Sequence, residues 1–302
     1  MREKGILRSP FFYVGDKFKL IEEIRSFFPA TIGTFVEPFV GGGSVFLNTS
    51  AQKFILNDID SNIIQLHKFL CSYASHPEVF LNKCFEYINK YGFSCSVRGV
   101  FVPEELKKQF VKTYYARYNK GPYIKLREDY NQSNRDDYFE LYLLLIYGFN
   151  HMIRFNANGD FNLPVGNVDF NHNVETALRS YFENVHSKKI SWKNMDFKEF
   201  FKKTKLKEED FIYLDPPYLI TFSEYNKLWN EQTEKDLLSL LDTLNERHIR
   251  FAISNVTHYK QRVNTIFLEW ASKYISHNIK SNYISYHDNS VKKFQEVLIT
   301  NY

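Results

Sequence analysis

The stretch Ile32 to Leu47 restricts the fold more than any other. Ile32-Gly33-Thr34-Phe35-Val36 reads as a buried strand, Glu37-Pro38-Phe39-Val40 closes it, Gly41-Gly42-Gly43 gives a turn without side chains, and Ser44-Val45-Phe46-Leu47 opens a helix. A strand that passes into a helix this way begins a βαβ crossover. The next segment agrees: Lys53-Phe54-Ile55-Leu56-Asn57-Asp58-Ile59-Asp60 is a second strand ending in acid, and Asn62, Ile63, Ile64, Leu66, His67, Phe69 and Leu70 follow at helical spacing. The expected class is α/β, with a doubly wound, Rossmann-like sheet.

The rhythm stops after His76-Pro77 and returns a hundred residues later. Lys189-Ile190-Ser191-Trp192 is a strand candidate, with Asn194-Met195-Asp196-Phe197 at its end and a short helix from Lys198 to Phe201. Phe211 to Leu214 is a strand, Thr233 to Arg247 a helix, Ile249 to Asn255 a strand, and Phe294 to Tyr302 a late strand. Near the beginning, Leu20, Ile21, Ile24, Phe27 and Phe28 mark a helix stopped by Pro29. Between the two α/β parts lie helices, among them the apolar Tyr138 to Phe149, and then a segment centred on Asn158-Gly159, a hairpin signal.

Several groups at strand ends carry chemistry. Asp215-Pro216-Pro217-Tyr218 closes the apolar run from Phe211 on a stiff turn at the carboxyl edge of a sheet, where ligands bind in open α/β folds. An exocyclic amino group on a nucleobase is a poor nucleophile, because its lone pair is delocalised into the ring. The Asp215 carboxylate and the Pro216 carbonyl could hold both amino hydrogens and free that lone pair, while Tyr218 stacks on a base taken out of its duplex. The plainer reading of these residues is a β-to-loop turn. The three glycines let a ligand approach the backbone closely, but they match neither a Walker loop nor the strict dinucleotide pattern. Glu37 beside them suits a cationic group, which points to a sulfonium amino acid. Asp58 is placed to take ribose hydroxyls, Asp60 to cap the following helix. Asp196 could accept an adenine amino group and Phe197 pack on its ring, although Asp196 also reads as a helix cap. His67, alone in a helix, reads as a packing residue.

Charge is concentrated in the interruption. From Lys107 to Arg135 there are eight Lys or Arg against Glu128 and Asp129, interleaved with six Phe or Tyr, in a chain whose net charge is only +4. Bases mixed with rings favour a polyanion, and a solvated basic helix face is the alternative. Arg154 in the hairpin could read a guanine edge, or be a surface arginine. No apolar run is long enough to span a bilayer, and no signal core follows the charged Arg2, Glu3 and Lys4. Three cysteines without metal-site spacing read as reduced thiols in a cytoplasmic protein, with no metal implied.

Taken together, Phe35-Val36-Glu37-Pro38-Phe39-Val40-Gly41-Gly42-Gly43-Ser44, Asn57-Asp58, Arg154-Phe155-Asn156 with Gly159-Asp160-Phe161-Asn162-Leu163-Pro164, and Asp215 to Tyr218 resemble, in this order, the Dam-like, D12-class DNA adenine-N6 methyltransferases. The resemblance implies S-adenosylmethionine as cofactor, held by Tyr13, Lys17, Glu37, Pro38, Gly41, Gly42, Gly43, Asp58, Asp196, Phe197 and Asp215. It implies catalysis by Asp215, Pro216 and Tyr218 on a flipped adenine of double-stranded DNA, with Lys120, Lys125, Asn150, Arg154 and Asn156 on the DNA. Residues 1–74 and 177–302 would form the catalytic domain and 75–176 the target-recognition domain. A monomer is expected, bacterial or phage-encoded, on DNA in the nucleoid and paired with a restriction endonuclease. The chain departs from the family at Tyr13 and Asp16, where Trp and Gly are usual, and at His151, where Gly is. Tyr286 to Lys293 stands for the family's Ser- and Gly-rich basic loop. Alternatives are cytosine N4, RNA adenine or protein glutamine as acceptor, or a DNA-binding module with an inactive cofactor site. Asp rather than Ser or Asn before the prolines favours DNA adenine.

Overall fold

The computed structural model describes residues 5–221, 229–280 and 294–302. The segment 286–293 of the expected basic loop, and the charged residues 2–4, lie outside them. The chain divides into two compact units. One is Met1–Phe18, Gly41–Leu47 and Asp60–Ser187; the other is Lys19–Val40, Asn48–Ile59 and Lys188–Tyr302.

The second unit holds the sheet. Its strands are β1 (Thr34–Glu37), β2 (Lys53–Asp58), β3 (Ile190–Asn194), β4 (Phe211–Leu214), β5 (Arg250–Tyr259), β6 (Arg262–Val263), β7 (Ile275–Ile279) and β8 (Phe294–Thr300). Among the described residues they are ordered β3-β2-β1-β4-β5-β8-β7, with β6 folded back on β5. The strands from β3 to β5 are parallel, whereas β8 pairs antiparallel with both β5 and β7. This is the expected α/β class with a Rossmann-like methyltransferase sheet. Strand order reverses between β1 and β4, and in such sheets a crevice opens where it does. β4 is buried at every position, as expected of a short apolar run flanked by parallel neighbours. One face packs Val36, Ile212, Leu214, Phe251, Ile253 and Ile299 against the helices Phe197–Lys203, Glu231–Glu246 and Thr265–Ala271. On the other face Phe28, just beyond the helix Ile21–Ser26, stands edge-on to Phe211 at 4.7 Å.

The first unit is mainly helical. Its longer helices are Ser61–Ser72, Pro77–Tyr91, Tyr114–Gln132, Tyr138–Ile146 and His172–His186. From Phe139 to Ile146 every residue is buried, which is what a helix apolar on all sides requires. The expected hairpin follows, as an antiparallel bridge between Phe155 and Phe161 and a tight turn rather than two regular strands. Asn156 Oδ1 accepts from the backbone of Asn158 and Asp160, so the turn closes on its own side chain.

Candidate active site

In the sheet unit, the ends of three parallel strands are clipped together by one side chain. Asn57, at the end of β2 and buried, donates to the carbonyls of Pro38 (3.0 Å) and Met195 (2.9 Å), while its Oδ1 accepts from Met195 N–H (3.1 Å). The clip sets the segments after β1, β2 and β3 side by side. Four of the acids singled out in the sequence stand on this edge. Glu37 ends β1 and is buried, Asp58 ends β2 and is half-buried, and Asp215 follows β4 and is half-buried. Asp196 is exposed and caps the helix Phe197–Lys203 by accepting from Lys198 N–H at 2.8 Å. Phe197 is buried against Phe39 and Trp229, each ring 5.8 Å from the others.

Trp229 is itself fixed. Its Nε1 donates to Glu234 at 2.6 Å, and Glu234 also accepts from Asn255 (3.0 Å) and Asn264 (3.1 Å). Burial pushes the Glu234 carboxyl above its ordinary range, against those three donors. Beyond β4, Pro216 is buried, and the Tyr218 hydroxyl donates to Asp215 Oδ1 at 2.8 Å with Glu296 Oε1 at 3.1 Å. Sequence reasoning missed Asn57 as a clip, Trp229, and Glu296. Glu296 had a signal, an acid at the head of the apolar run Val297-Leu298-Ile299, but its partner lies 78 residues away.

In the helical unit, the glycine turn is cradled by its own neighbours. A Cβ on Gly42 would lie 2.8 Å from Tyr13 Cβ, and one on Gly43, at φ +79°, would lie 2.3 Å from Phe46 and 2.9 Å from His67. No side chain fits at either place. Ser9 Oγ donates to the Gly42 carbonyl, and His67 Nε2 is 2.9 Å from the Gly41 carbonyl, with Nδ1 3.2 Å from the Tyr181 hydroxyl. His67 is thus the packing residue expected, and burial lowers it to about 3. The departure at Asp16 is absorbed locally: its carboxylate accepts from Phe18 N–H at 2.8 Å, while burial raises its pKa. Lys17 is buried, with Nζ 3.4 Å from the Gly15 carbonyl.

The residues singled out for DNA divide into two kinds. Lys120 and Lys125 are exposed on the helix Tyr114–Gln132, and Asn150 is exposed. Arg154 is half-buried and donates from Nε and Nη2 to Asn162 Oδ1 and O, both at 2.8 Å, which commits two of the five N–H donors of a guanidinium. Arg135, one of the eight bases counted above, is spent on the hairpin, bonding the Gly159 carbonyl and Asp160. At the departure from the family, His151 has φ +48° and Asn150 φ +55°. Glycine adopts this backbone without strain. Here the His151 ring repays part of the cost through Nδ1, 3.3 Å from the Leu145 carbonyl.

A central, mostly parallel α/β sheet in this strand order is that of a Rossmann-like methyltransferase fold. The particular kind follows from comparison with known proteins: a family model described as D12 class N6 adenine-specific DNA methyltransferase matches residues 13–298, and the chain belongs to that family. Modification methylase StsI of Streptococcus sanguinis is 33% identical over 314 residues, covering 99% of this chain and 43% of the relative. Type II methyltransferase M.FokI of Planomicrobium okeanokoites is 34% identical, over 100% of this chain and 44% of its own. The chain therefore spans less than half the length of these two. The DNA adenine methylase of Escherichia coli strain K12 is 29% identical over 95% of this chain and 92% of its own.

D12-class methyltransferases use S-adenosylmethionine as methyl donor, and the donor set of the sheet edge fits it. That molecule offers a sulfonium, an ammonium, a ribose diol and an adenine amino group, all of them cationic or hydrogen-donating. Glu37, Asp58, Asp196 and Asp215 supply acceptors of the kind such groups require. Among the described residues, no helix is long and apolar enough to cross a membrane.

Proposed function

We propose that the chain transfers a methyl group from S-adenosylmethionine to N6 of an adenine flipped out of duplex DNA. The observation that carries this is Asp215 followed by Pro216 at the end of β4, beside the switch point that Glu37 faces from β1. The cofactor supplies, when bound, an electrophilic methyl group on its sulfonium. Asp58 accepts the ribose hydroxyls, Asp196 the adenine amino group, and Phe197 packs the ring. The resemblance assigns the methionine end to Tyr13, Lys17 and the Gly41–Gly43 turn.

The Asp215 carboxylate and the Pro216 carbonyl accept the two hydrogens of the target amino group, so that its lone pair points out of the base plane. Tyr218 stacks on the base. Attack is direct and in line, without a covalent enzyme intermediate. Residues 75–176 act as the recognition region, with Arg154 on a guanine edge and Lys120, Lys125, Asn150 and Asn156 on the strand around it. The division at 75 and 176 is one of role, distinct from the packing division into compact units. Pairing with a restriction endonuclease, action as a monomer and residence in the cytoplasm belong to the same proposal.

The test is to sequence the genome of a methylation-free host expressing the chain, at single-base resolution, with Asp215→Ala as control. One motif carrying N6-methyladenine in the wild type and bare in the variant is the expected result. Soluble protein with no modified adenine in either strain would overturn the reading.

A further inference from the structure

Tyr218 stands between two carboxylates, and a phenol has one hydrogen to give. Its oxygen is 2.8 Å from Asp215 Oδ1 and 3.1 Å from Glu296 Oε1. Glu296 is 1% exposed and reaches this place because of its strand's direction. β8 is antiparallel to β5, with Glu296 opposite Val256, so its amino end lies at the edge where the parallel strands end. An acid in the middle of a parallel strand would be far from the reacting base; here the reversal delivers it to the catalytic turn.

The shorter contact creates a conflict for the methyl-transfer reading, on which this inference rests. Asp215 must offer an oxygen to one hydrogen of the incoming amino group, the other going to the Pro216 carbonyl, yet its Oδ1 already receives the Tyr218 hydroxyl. A hydroxyl rotates about its C–O bond at little cost, and its hydrogen goes to whichever acceptor suits it. We propose that Glu296 is a positioning residue for Asp215, taking the Tyr218 hydrogen when the target base arrives and so releasing the catalytic oxygen. The exchange conserves hydrogen bonds: Tyr218 moves its donation from Asp215 to Glu296, and Asp215 accepts the amino hydrogen in its place. No bond to a buried acceptor is lost at the moment of reaction, which keeps the desolvation penalty of an unmade bond out of the barrier.

The consequence is an unusual pattern of coupling. Glu296→Met keeps the length of the side chain and removes the alternative acceptor, so the hydroxyl stays on Asp215 and competes with the substrate. Single-turnover methyl transfer should slow about tenfold, the scale of one hydrogen-bond partner lost at a reacting group. Tyr218→Phe removes the competing hydroxyl but keeps the ring. Added to Glu296→Met, it should therefore accelerate the reaction, bringing the double variant up to the rate of Tyr218→Phe alone. S-adenosylmethionine affinity by calorimetry should be alike in all folded variants. A merely structural Glu296 would give a double variant as slow as Glu296→Met or slower, and that result overturns the inference. If Glu296→Met is recovered unfolded, Glu296→Asp replaces it: the shorter acid draws the acceptor back and should show a smaller loss with the same rescue. Wild-type protein that transfers no methyl group to any DNA would sink the methyl-transfer reading and this inference together, whereas an active wild type without rescue sinks the inference alone.

Discussion

Asn57 and Asn156 use the same amide for opposite purposes. Asn57 is buried and joins its strand to carbonyls 19 and 138 residues away. Asn156 is exposed and bonds within its own turn, two and four residues on. The first fixes an edge that only the whole sheet can assemble; the second closes a hairpin whose turn is local. Where reacting atoms must be held to fractions of an ångström, long-range bonds remove freedom in advance. Where a surface meets DNA of varying shape, a locally closed segment can adjust and exchange its polar partners at low cost. The difference teaches which part of the chain should behave as a frame and which as a probe.

The comparison can be broken most readily through buried groups. His67 is the helical unit's own long-range fastener, and its folded pKa of about 3 lies below the ordinary value of 6.5. A depressed histidine contributes stability above 6.5 that is lost as pH falls, because the unfolded chain binds the proton first. Urea unfolding should show stability falling by about 3 kcal/mol between pH 6.5 and 4 from this group, and His67→Phe should flatten that slope. A slope unchanged by the substitution would remove His67 from the frame. Next in size, Asn57→Ala leaves buried groups of Pro38 and Met195 without partners and should cost about 1–3 kcal/mol of stability, with weaker S-adenosylmethionine binding. Asn156→Ala, measured beside it, should stay below about 1 kcal/mol and leave cofactor affinity alone; equal losses would erase the distinction.

Two further predictions sharpen the probe side. Arg154→Ala should relax discrimination at one base pair by about 1–3 kcal/mol in competition between DNA sites, with little change in thermal stability. The smallest effect belongs to the exposed lysines. Lys120→Ala and Lys125→Ala should each lower the slope of log affinity against log salt by about one, equally on target and non-target DNA. A sequence-selective loss would move them from the phosphate backbone to the bases.

Much of the frame was legible because it is written in short apolar runs with polar ends. β4 and Asp215 could be read from Phe211 to Tyr218 alone, and β1 with its glycine turn from Phe35 to Ser44. β7 and the helix Thr265–Ala271 were not, since Ile275-Ser276-His277-Asn278-Ile279 lies at the sheet's margin with most of its side chains exposed and carries no buried alternation. The helix cap at Asp60 was legible from neighbours, with Asn62 N–H at 2.9 Å. The partners of Glu296, Asn57 and Arg154 were not, because geometry rather than spacing brings them together. The Asx turn at Asn156 lies between these cases: Asn158-Gly159 announced a reversal, but not that Arg135 would spend its charge holding it.

The order of β2 and β3 has a consequence for how such a chain can change. They are neighbours in the sheet, yet residues 59–189 run between them. Closing a loop costs free energy only as the logarithm of its length, about 0.6 kcal/mol per doubling, so this excursion costs only about 1.3 kcal/mol more than an ordinary crossover of about 30 residues. The sheet is therefore nearly indifferent to what is carried there. A lineage can lengthen, trim or exchange the excursion while β2 and β3 keep their pairing.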